Sequence, residues 1–432
     1  MNYWDKKGVI MTPQIKQRLD QIQRGEVPEG YKRTKVGIVP DEWNEECLGK
    51  YLQEYKELSN DIENYPVYSS SRQGLIPQSQ YYDNREAVET NLGYKIVPNG
   101  YVTYRHMSDD DIFHFNVNKT GSEVLVSSEY PVFTSTKKGD LGYLIPMLNG
   151  TARFRYFCRT QKMGGTRTRL YYKNLCAYKT AFATLLEQQK IAEILSAQDK
   201  LIALKEKLIE EKKRQKKALM QQLLTGKKRL PGFEYSWEMH TLKTMSTPIL
   251  RKAGIGQYEI LSISAGIGFV NQAQKFGKEI AGEQYKNYTV LQKHEFSYNK
   301  GNSKRYPQGC IYPLENRDRA AVPNVFISFN LDETRCFYGF YKYLFESGHL
   351  NKQLYRLINS GVRNDGLLNL YDSDFYNCVI PVPSYDEQKM IANIFFSLDK
   401  EIISLEKTLQ AEKQKKKALM QLLLTGIVRV NA

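Results

Sequence analysis

One segment of forty residues occurs twice in this chain of 432 residues, at a fixed spacing of 200. Residues 187–226 align with residues 387–426 without a gap, and 21 of the 40 positions are identical. Both copies close on nearly the same letters, KKALMQQLLTG from Lys216 and KKALMQLLLTG from Lys416. Self-similarity at a fixed period constrains the architecture more than any other signal, because both copies have to fold alike. The chain is therefore built from two related halves.

The repeated segment has the apolar spacing of a long helix that packs on another helix. Apolar residues recur at intervals of four and three, and Gly226 and Gly426 mark the two helix ends. The first copy departs from the second at Gln198 and Lys205, which replace leucines. Its stripe is widened to one side by Ile194, Leu201, Leu204 and Leu208. The predicted seam residues are Ile191, Leu195, Ile202, Ile209, Leu219 and Leu223 in the first helix, and Ile391, Phe395, Leu398, Ile402, Leu405, Leu409, Leu419 and Leu423 in the second.

The simplest way to cover both stripes is an antiparallel coiled coil of the two helices, each roughly 57 Å long at 1.5 Å per residue. The alternative is that each helix packs separately on its own domain. The lysines and arginine between 212 and 217, with Lys413 and Lys415 to Lys417, are interpreted as a solvated helical face, with contact to a partner as the alternative.

The blocks before the two helices are also related. Trp43 and Leu48 match Trp237 and Leu242 at a spacing of 194. The stretch YPVYSSSRQGLIPQ, from Tyr65, aligns with YEILSISAGIGFVNQ, from Tyr258, at a spacing one residue shorter. From Gly74 and Gly268 onward the spacing is again 194. Short β-branched and aromatic runs separated by Gly, Asn and Pro predict mixed strands and turns with some helix. The fold class is therefore α+β, with two mixed α/β domains and two long helices.

The N-terminal segment resembles the end of the repeated helix and the residues after it. Thr12 is a predicted N-cap and Pro13 the first helical residue, and the stretch from Ile22 to Tyr31 resembles the one from Leu223 to Phe233. We hypothesise that this helix completes a ring with the second long helix. The predicted organisation is an N-terminal helical segment at 1–30, domains at 31–184 and 230–384, and spacer helices at 185–229 and 385–432.

Composition indicates a polyanionic partner. The chain has 62 Lys+Arg against 47 Asp+Glu, a net charge of +15. It shows no secretory signal, no apolar run long enough to span a membrane and no paired Cys or zinc spacing among its six cysteines, so a cytoplasmic location is expected. Polar loops with basic tips provide the residue types that contact phosphates and base edges, although each could equally be a solvated turn. The predicted DNA-binding residues are Ser70, Ser71, Arg72, Gln73, Arg105, Lys137, Lys138, Thr166, Arg167 and Arg169 in the first domain, and Asn299, Asn302, Lys304, Arg305, Arg363 and Asn364 in the second.

Catalytic motifs are scarce. There is no G-x-x-x-x-G-K-[ST] phosphate loop, no NPPY-type tetrapeptide and no predicted metal site. One constellation, Asp41 with Glu54 and Lys56, has the form of a magnesium-dependent nuclease site, and a nuclease acting through it is the alternative function. A coiled-coil structural protein without a role on DNA is a third class.

These features together resemble the specificity subunits of type I restriction-modification systems. The resemblance is carried by the W…L block start, YPVYSSSRQGLIPQ, GVRNDG, PVPSYDEQKMIA and the KKALMQLLLTG that closes each half, and it covers nearly the whole chain. It implies two target recognition domains separated by two conserved helices in an antiparallel coiled coil, with pseudo-twofold symmetry. Each domain would read one half of an asymmetric, bipartite DNA sequence, and the helices would set the unread spacer.

The resemblance also implies that this subunit has no catalytic activity and holds no cofactor. Two modification subunits, which methylate adenine with S-adenosylmethionine, would dock on the helices, and ATP- and magnesium-dependent restriction subunits would join them. The complex would be bacterial or archaeal, cytoplasmic and DNA-associated. One departure is visible, since Pro381-Val382-Pro383 precede the second helix where the first has Ala181-Phe182-Ala183.

Overall fold

The structure is a computed structural model that describes residues 12–81, 93–162, 164–277, 282–301, 306–358 and 368–430. It divides into two compact units, one formed by residues 1–206 with 407–432 and the other by residues 207–406. Each unit mixes strands and short helices with part of both long helices, which confirms the α+β class. Among the described helices, none is both long and apolar enough to cross a membrane.

The first unit contains fifteen of the described strands, all short. They are β1 (Tyr31–Thr34), β2 (Gly37–Pro40), β3 (Asn44–Cys47), β4 (Leu52–Tyr55), β5 (Leu58–Ser59), β6 (Tyr68–Ser71), β7 (Gly74–Pro77), β8 (Tyr94–Val97), β9 (Val102–Thr103), β10 (Met107–Ser108), β11 (Asn116–Val117), β12 (Val124–Ser127), β13 (Val132–Ser135), β14 (Thr168–Arg169) and β15 (Lys179–Phe182). Its helices are α1 (Pro13–Gln23), α2 (Gln78–Tyr81), α3 (Leu141–Gly150), α4 (Ala152–Thr160), α5 (Tyr172–Cys176) and the start of α6 (Leu185–Leu223).

The strands of the first unit form small antiparallel sheets. One has the order β11-β9-β13-β4 and another the order β12-β8-β5, while β1-β2 and β6-β7 are hairpins and β3 pairs with β15. The core beside them is aromatic, and Trp43, Tyr104, Phe133, Tyr143 and Phe154 are all at most 2% exposed.

The second unit repeats this plan with ten described strands. They are β16 (Glu238–Thr241), β17 (Ser246–Pro248), β18 (Leu261–Ser264), β19 (Gly268–Asn271), β20 (Thr289–Gln292), β21 (Phe296–Asn299), β22 (Cys310–Pro313), β23 (Arg319–Val322), β24 (Ile327–Leu331) and β25 (Val379–Val382). Its helices are α7 (Leu242–Met245), α8 (Gln272–Phe276), α9 (Tyr338–Glu346), α10 (Asn351–Leu357), α11 (Asp372–Tyr376) and the start of α12 (Tyr385–Leu424). One sheet has the order β17-β24-β21-β22, β18-β19 is a hairpin, and β16 pairs with β25 as β3 pairs with β15.

A buried carboxylate fixes the start of α6 in the first unit. Glu187 is 1% exposed and accepts hydrogen bonds from the indole Nε1 of Trp43 (2.8 Å) and from Nε of Arg429 (2.7 Å). Trp43 lies just before β3, and Arg429 follows the end of α12. A buried charge of this kind is tolerated only when it is paired and hydrogen-bonded, so three distant segments are held to one point.

The neighbouring Gln188 is also buried and binds backbone only. Its Nε2 donates to the carbonyl oxygen of Ala183 at 2.9 Å, and its Oε1 accepts from the amide of Asp140 at 3.1 Å. Asp140 in turn caps α3, because its carboxylate accepts from the amide of Gly142 at 2.7 Å. The Glu-Gln pair therefore joins α6 to both its preceding strand and to α3.

The second unit has the same joint. Glu387 accepts from Nε1 of Trp237 (2.9 Å) and from Nε of Arg229 (2.8 Å), while Gln388 donates to the carbonyl oxygen of Pro383 at 2.8 Å. Pro383 therefore serves as Ala183 does, and the proline difference between the two helix starts leaves the geometry unchanged.

The two long helices pair in antiparallel order within each unit. In the first unit Asp199 forms an ion pair with Lys416, and Gln198 Nε2 donates to the Glu412 carboxylate at 2.8 Å. Lys205 lies 3.8 Å from the same carboxylate. The polar residues that interrupt the first apolar seam are thus matched by one acid on the partner helix.

The second unit has the same antiparallel pairing, with Leu398 and Leu405 where the first unit has Gln198 and Lys205. Lys212 lies 2.8 Å from Glu401, and Lys216 lies 2.8 Å from Asp399. Lys212 and Lys216 are partly buried against acids of α12, so the solvated-face interpretation is wrong for these two. Lys213, Arg214 and Lys217 are exposed, and Lys213 pairs with Glu406 at 2.9 Å.

None of the fourteen predicted seam residues is exposed. Some of them, such as Ile191, Leu195 and Phe395, pack in the core of their unit, so both helix pairing and packing on the domain contribute to their burial. The predicted widening of the first stripe is wrong for Leu201, Leu204 and Leu208, which are 38%, 65% and 39% exposed. The partner helix covers only a narrow seam, so leucines beside it stay at the surface.

The N-terminal helix packs against the end of α12, as the ring hypothesis requires. Thr12 caps α1, accepting from the amide of Ile15 at 3.4 Å. Arg18 donates to the carbonyl oxygen of Ile427 at 2.8 Å, and Tyr31 OH donates to that of Gly426 at 2.7 Å.

We predict that Glu187→Gln lowers the free energy of unfolding of the first unit by about 2 kcal/mol, because the guanidinium of Arg429 loses its buried carboxylate partner and keeps only the exposed Glu42. The value lies below the usual cost of breaking a buried pair because the Arg429 side chain is 28% exposed. Urea unfolding followed by circular dichroism measures it. Glu193→Gln, on the same helix but exposed, should change stability by less than about 0.5 kcal/mol; an equal effect of the two variants would contradict the anchoring role.

A second prediction concerns the coiled coil. Glu412→Lys should cost about 1 to 2 kcal/mol, because it removes the acceptor of Gln198 and places two lysines together. Adding Lys205→Glu should restore most of the loss by reversing the pair. The same urea titrations test this, with the exposed swap Lys190→Glu/Glu193→Lys as the control. A double variant no more stable than Glu412→Lys alone would refute the pairing.

Candidate DNA interface

Several of the predicted DNA-binding residues of the first unit meet at one cleft. The cleft has a volume of about 440 Å³ and is lined by the tip of the β6-β7 hairpin, by Arg105 and by the loop after β10. Its lining includes Ser70, Ser71, Arg72, Gln73, Arg105, Ser108, Asp109 and His114. Five of these eight come from the sequence prediction.

A second predicted loop reaches the same place through strand pairing. β14 pairs with β10, so that Arg169 lies opposite Met107 and Thr168 opposite Ser108. The exposed Thr166 and Arg167 directly precede β14, and Arg167 Nε donates to Asp109 at 2.8 Å. The hairpin ends at Pro77 and this loop lies at Thr166 and Arg167, far apart in sequence, and the β10-β14 pairing brings the loop to the cleft.

Acidic residues hold the two arginines. Arg72 forms an ion pair with Asp110 at 2.5 Å, and Arg167 binds Asp109. Partial burial raises the pKa of Asp110, but hydrogen bonds from Ser108 and Arg72 outweigh it and leave that pKa below its usual value. Both side chains of each pair are more than 40% exposed. Exposed pairs of this type contribute little to stability, so the arginines can exchange a carboxylate for a phosphate at small cost.

Sequence reasoning missed the acidic loop and His114. Asp111 has a positive φ of 61° and accepts a hydrogen bond from the hydroxyl of Thr168. The letters MSDDD before an apolar run were the available signal, since Asp is among the residues that tolerate this backbone region. His114 lines the cleft, and burial followed by the nearby charge of Arg72 lowers its pKa, so the ring is neutral at pH 7.

Not every predicted residue of the first unit directs its polar group into the cleft. Ser70 is buried, and its hydroxyl accepts from Asn116 Nδ2 at 2.8 Å, so the hydroxyl binds inside the protein. Lys137 and Lys138 are exposed in the loop before α3, where the carbonyl oxygen of Lys138 accepts from Gln188. That loop supports the helix joint and does not line the cleft.

The second unit supplies fewer of the predicted residues. Asn299 caps a turn with its side-chain Oδ1, which accepts a hydrogen bond from the amide of Gly301 at 2.8 Å. Asn302, Lys304, Arg305, Arg363 and Asn364 lie outside the described residues. A cleft of about 490 Å³ borders the β18-β19 hairpin, with Arg317, Lys216 and Lys342 on its wall.

All three of these cations are paired within the unit. Lys216 binds Asp399 and Glu346, Lys342 binds Glu315 at 2.7 Å, and Arg317 binds Glu259. The two clefts differ in the balance of charge on their walls. The second has four carboxylates, Glu259, Glu315, Glu346 and Asp399, against these three cations, whereas the first has Arg72 and Arg105 against Asp109.

The residues of the alternative nuclease site do not form a metal centre. Glu54 in β4 forms an ion pair with Lys56 at 3.0 Å, and Asp41 is exposed in the turn after β2, where its carbonyl oxygen accepts from Lys32. In the described part of the chain, no group of three or more His, Cys, Asp or Glu side chains could hold a metal ion. No observation favours the nuclease.

Comparisons with known proteins agree with this geometry. The chain is 24% identical to the putative type I restriction enzyme MjaX specificity subunit of Methanocaldococcus jannaschii, over 93% of this chain and 97% of that protein. It shares its fold with the S subunit of a type I restriction-modification system from M. genitalium. The TM-score is 0.51 and the sequence identity 14%, over 90% of this chain and 97% of that chain. It also shares its fold with a chain from a structure on complex assembly and conformational transition of the type I R-M system. For that chain the TM-score is 0.52 and the sequence identity 12%, over 90% of this chain and 99% of that chain.

The family model described as "Type I restriction modification DNA specificity domain" matches residues 49–214 and 318–413. The first range contains the hairpin and cleft of the first unit with Glu187 and Gln188, and the second contains Glu387 and Gln388. Together they cover more than half of the chain, which therefore belongs to the type I restriction-modification DNA specificity family.

Proposed function

We propose that this chain is the non-catalytic, sequence-specific DNA-binding subunit of a type I restriction-modification complex. Each unit reads one half of an asymmetric, bipartite target. The long helices, of 39 and 40 residues, set the unread spacer and provide the docking surface for two modification subunits. Restriction subunits join the same complex.

The observation that carries this proposal is that the two units share their internal contacts but differ in the side chains of their clefts. The two units share the Trp-Glu-Arg joint, the buried glutamine and the strand plan, yet their clefts carry different side chains. A protein that reads two different half-sites with one scaffold needs this division, because base contacts specify sequence and the remaining contacts only position the protein.

Chemistry on DNA is assigned to the partners. S-adenosylmethionine would serve the modification subunits, and ATP with magnesium the restriction subunits. In this proposal the chain acts by placing the partner subunits on their target.

The proposal predicts that replacing residues 31–184 by the corresponding domain of a relative changes one half-site and leaves the other half-site and the spacer intact. Mapping methylated adenines across the host genome, with the native and the hybrid chain in turn, reads both half-sites directly. A change in both half-sites, or in neither, would contradict the assignment of one reader to each unit.

Arg72 and Arg167 are predicted to contact the DNA backbone. The double variant Arg72→Ala/Arg167→Ala should make the slope of log K against log salt shallower by about 1.8, because each lost phosphate contact removes about 0.9. Fluorescence anisotropy with a random-sequence duplex over a range of salt concentrations measures the slope.

The matched control is Arg24→Ala/Lys190→Ala, which removes two exposed cations that are also paired with carboxylates but lie away from the cleft. The control should leave the slope unchanged. An equal change in both double variants would mean that only net charge matters.

A further inference from the structure

The β6-β7 and β18-β19 hairpins hold equivalent places in the two units. Each is followed at once by a short helix, and the first amide of that helix binds the residue before the hairpin. Gln78 donates to the carbonyl oxygen of Val67 at 2.9 Å, and Gln272 to that of Ile260 at 3.0 Å. Val67 and Ile260 also form parallel bridges, to Leu125 in β12 and to Ala321 in β23. The two hairpins are therefore the same part of the repeated frame.

Their tips differ in length and in chemistry. Ser71 pairs with Gly74 in the first hairpin, which leaves Arg72 and Gln73 at the tip. Ser264 pairs with Gly268 in the second, which leaves the three residues 265–267. This additional residue accounts for the one-residue offset between the two sequence blocks.

The second tip presents an apolar side chain to solvent from a fixed backbone. Ile267 is 73% exposed, and its amide donates to the carbonyl oxygen of Ser264 at 3.0 Å. The amide of Gly266 donates to Tyr312 OH at 2.9 Å, which ties the tip to β22. Because the tip is held in place, covering Ile267 would gain apolar burial with little loss of backbone freedom.

We propose that Ile267 is a specificity-determining residue that contacts the C5-methyl group of a thymine in the half-site read by the second unit. The inference rests on the proposed function. An isoleucine side chain has no hydrogen-bonding group, so the thymine methyl is the group on the major-groove base edges that matches it. The equivalent tip of the first unit carries Arg72 and Gln73, whose side chains suit guanine, adenine or phosphate. Both Gln73 and Ile267 directly precede the glycine that closes the hairpin, so this position carries an amide in the first unit and an apolar side chain in the second.

The test uses thymine-to-uracil exchange, which removes only the methyl group. Duplexes carrying the site mapped from host adenine methylation are made with each thymine of both half-sites replaced in turn by deoxyuridine. Binding is measured with the full chain in complex with its modification subunits. The wild-type chain should bind about fourfold more weakly when one particular thymine is replaced, the effect of one buried carbon group. The Ile267→Ala variant should bind the duplex with thymine and the duplex with deoxyuridine at that position equally well.

The matched control is Ile255→Ala, which removes a fully exposed isoleucine of the same unit outside the hairpin and should keep the fourfold difference. The inference is overturned if no replacement weakens wild-type binding, or if Ile267→Ala retains the difference. Wild-type binding that does not distinguish the mapped site from a random duplex would instead overturn the proposed function. Thermal melting of both variants checks that each is folded.

Discussion

The buried glutamate at the start of each long helix is the interaction on which the rest of the molecule depends. Its charge is excluded from water, so it requires the indole of one segment and the guanidinium of another, and each guanidinium follows the end of the opposite long helix. The start of one helix is thereby tied to the end of the other in both units. This requirement imposes antiparallel pairing independently of the apolar seam, which by itself would be compatible with either direction.

The duplication has diverged where divergence costs little. The joint residues are the same in both units because a lost partner would leave a buried charge or donor unsatisfied. The seam has changed as a matched set: Gln198 and Lys205 are accommodated by Glu412, where the other unit has two leucines and a lysine. The hairpin tips have changed freely, because an exposed turn residue is constrained only by the backbone of its turn. The joint residues stay the same and the hairpin tips differ for one reason. A substitution costs much free energy of folding at the joint and little at an exposed tip.

Periodicity predicted the helices, their glycine ends and the seam, because these depend on neighbours within one or two turns. The identities Trp43/Trp237 and Glu187/Glu387 were visible in the sequence, but their contact was not, since it joins residues 144 and 150 positions apart. Arg229 and Arg429 were missed although they keep the spacing of 200 three residues beyond the aligned glycines. Among the predicted DNA contacts, Arg72 and Arg167 reach the cleft region, whereas Ser70 and Asn299 bind inside the protein. Residue type in a loop does not reveal whether a side chain points inward.

The division of the chain between the units has a consequence for synthesis on the ribosome. The second unit is one continuous stretch, residues 207–406, whereas the first needs residues 407–432 as well. The N-terminal unit therefore waits for Arg429 and the end of α12 while the C-terminal unit can already form. At 5–20 residues per second the remaining 226 residues take roughly 10 to 45 s. During that time the nascent first unit has neither the Arg429 partner of Glu187 nor Leu423 and Leu424 of its core.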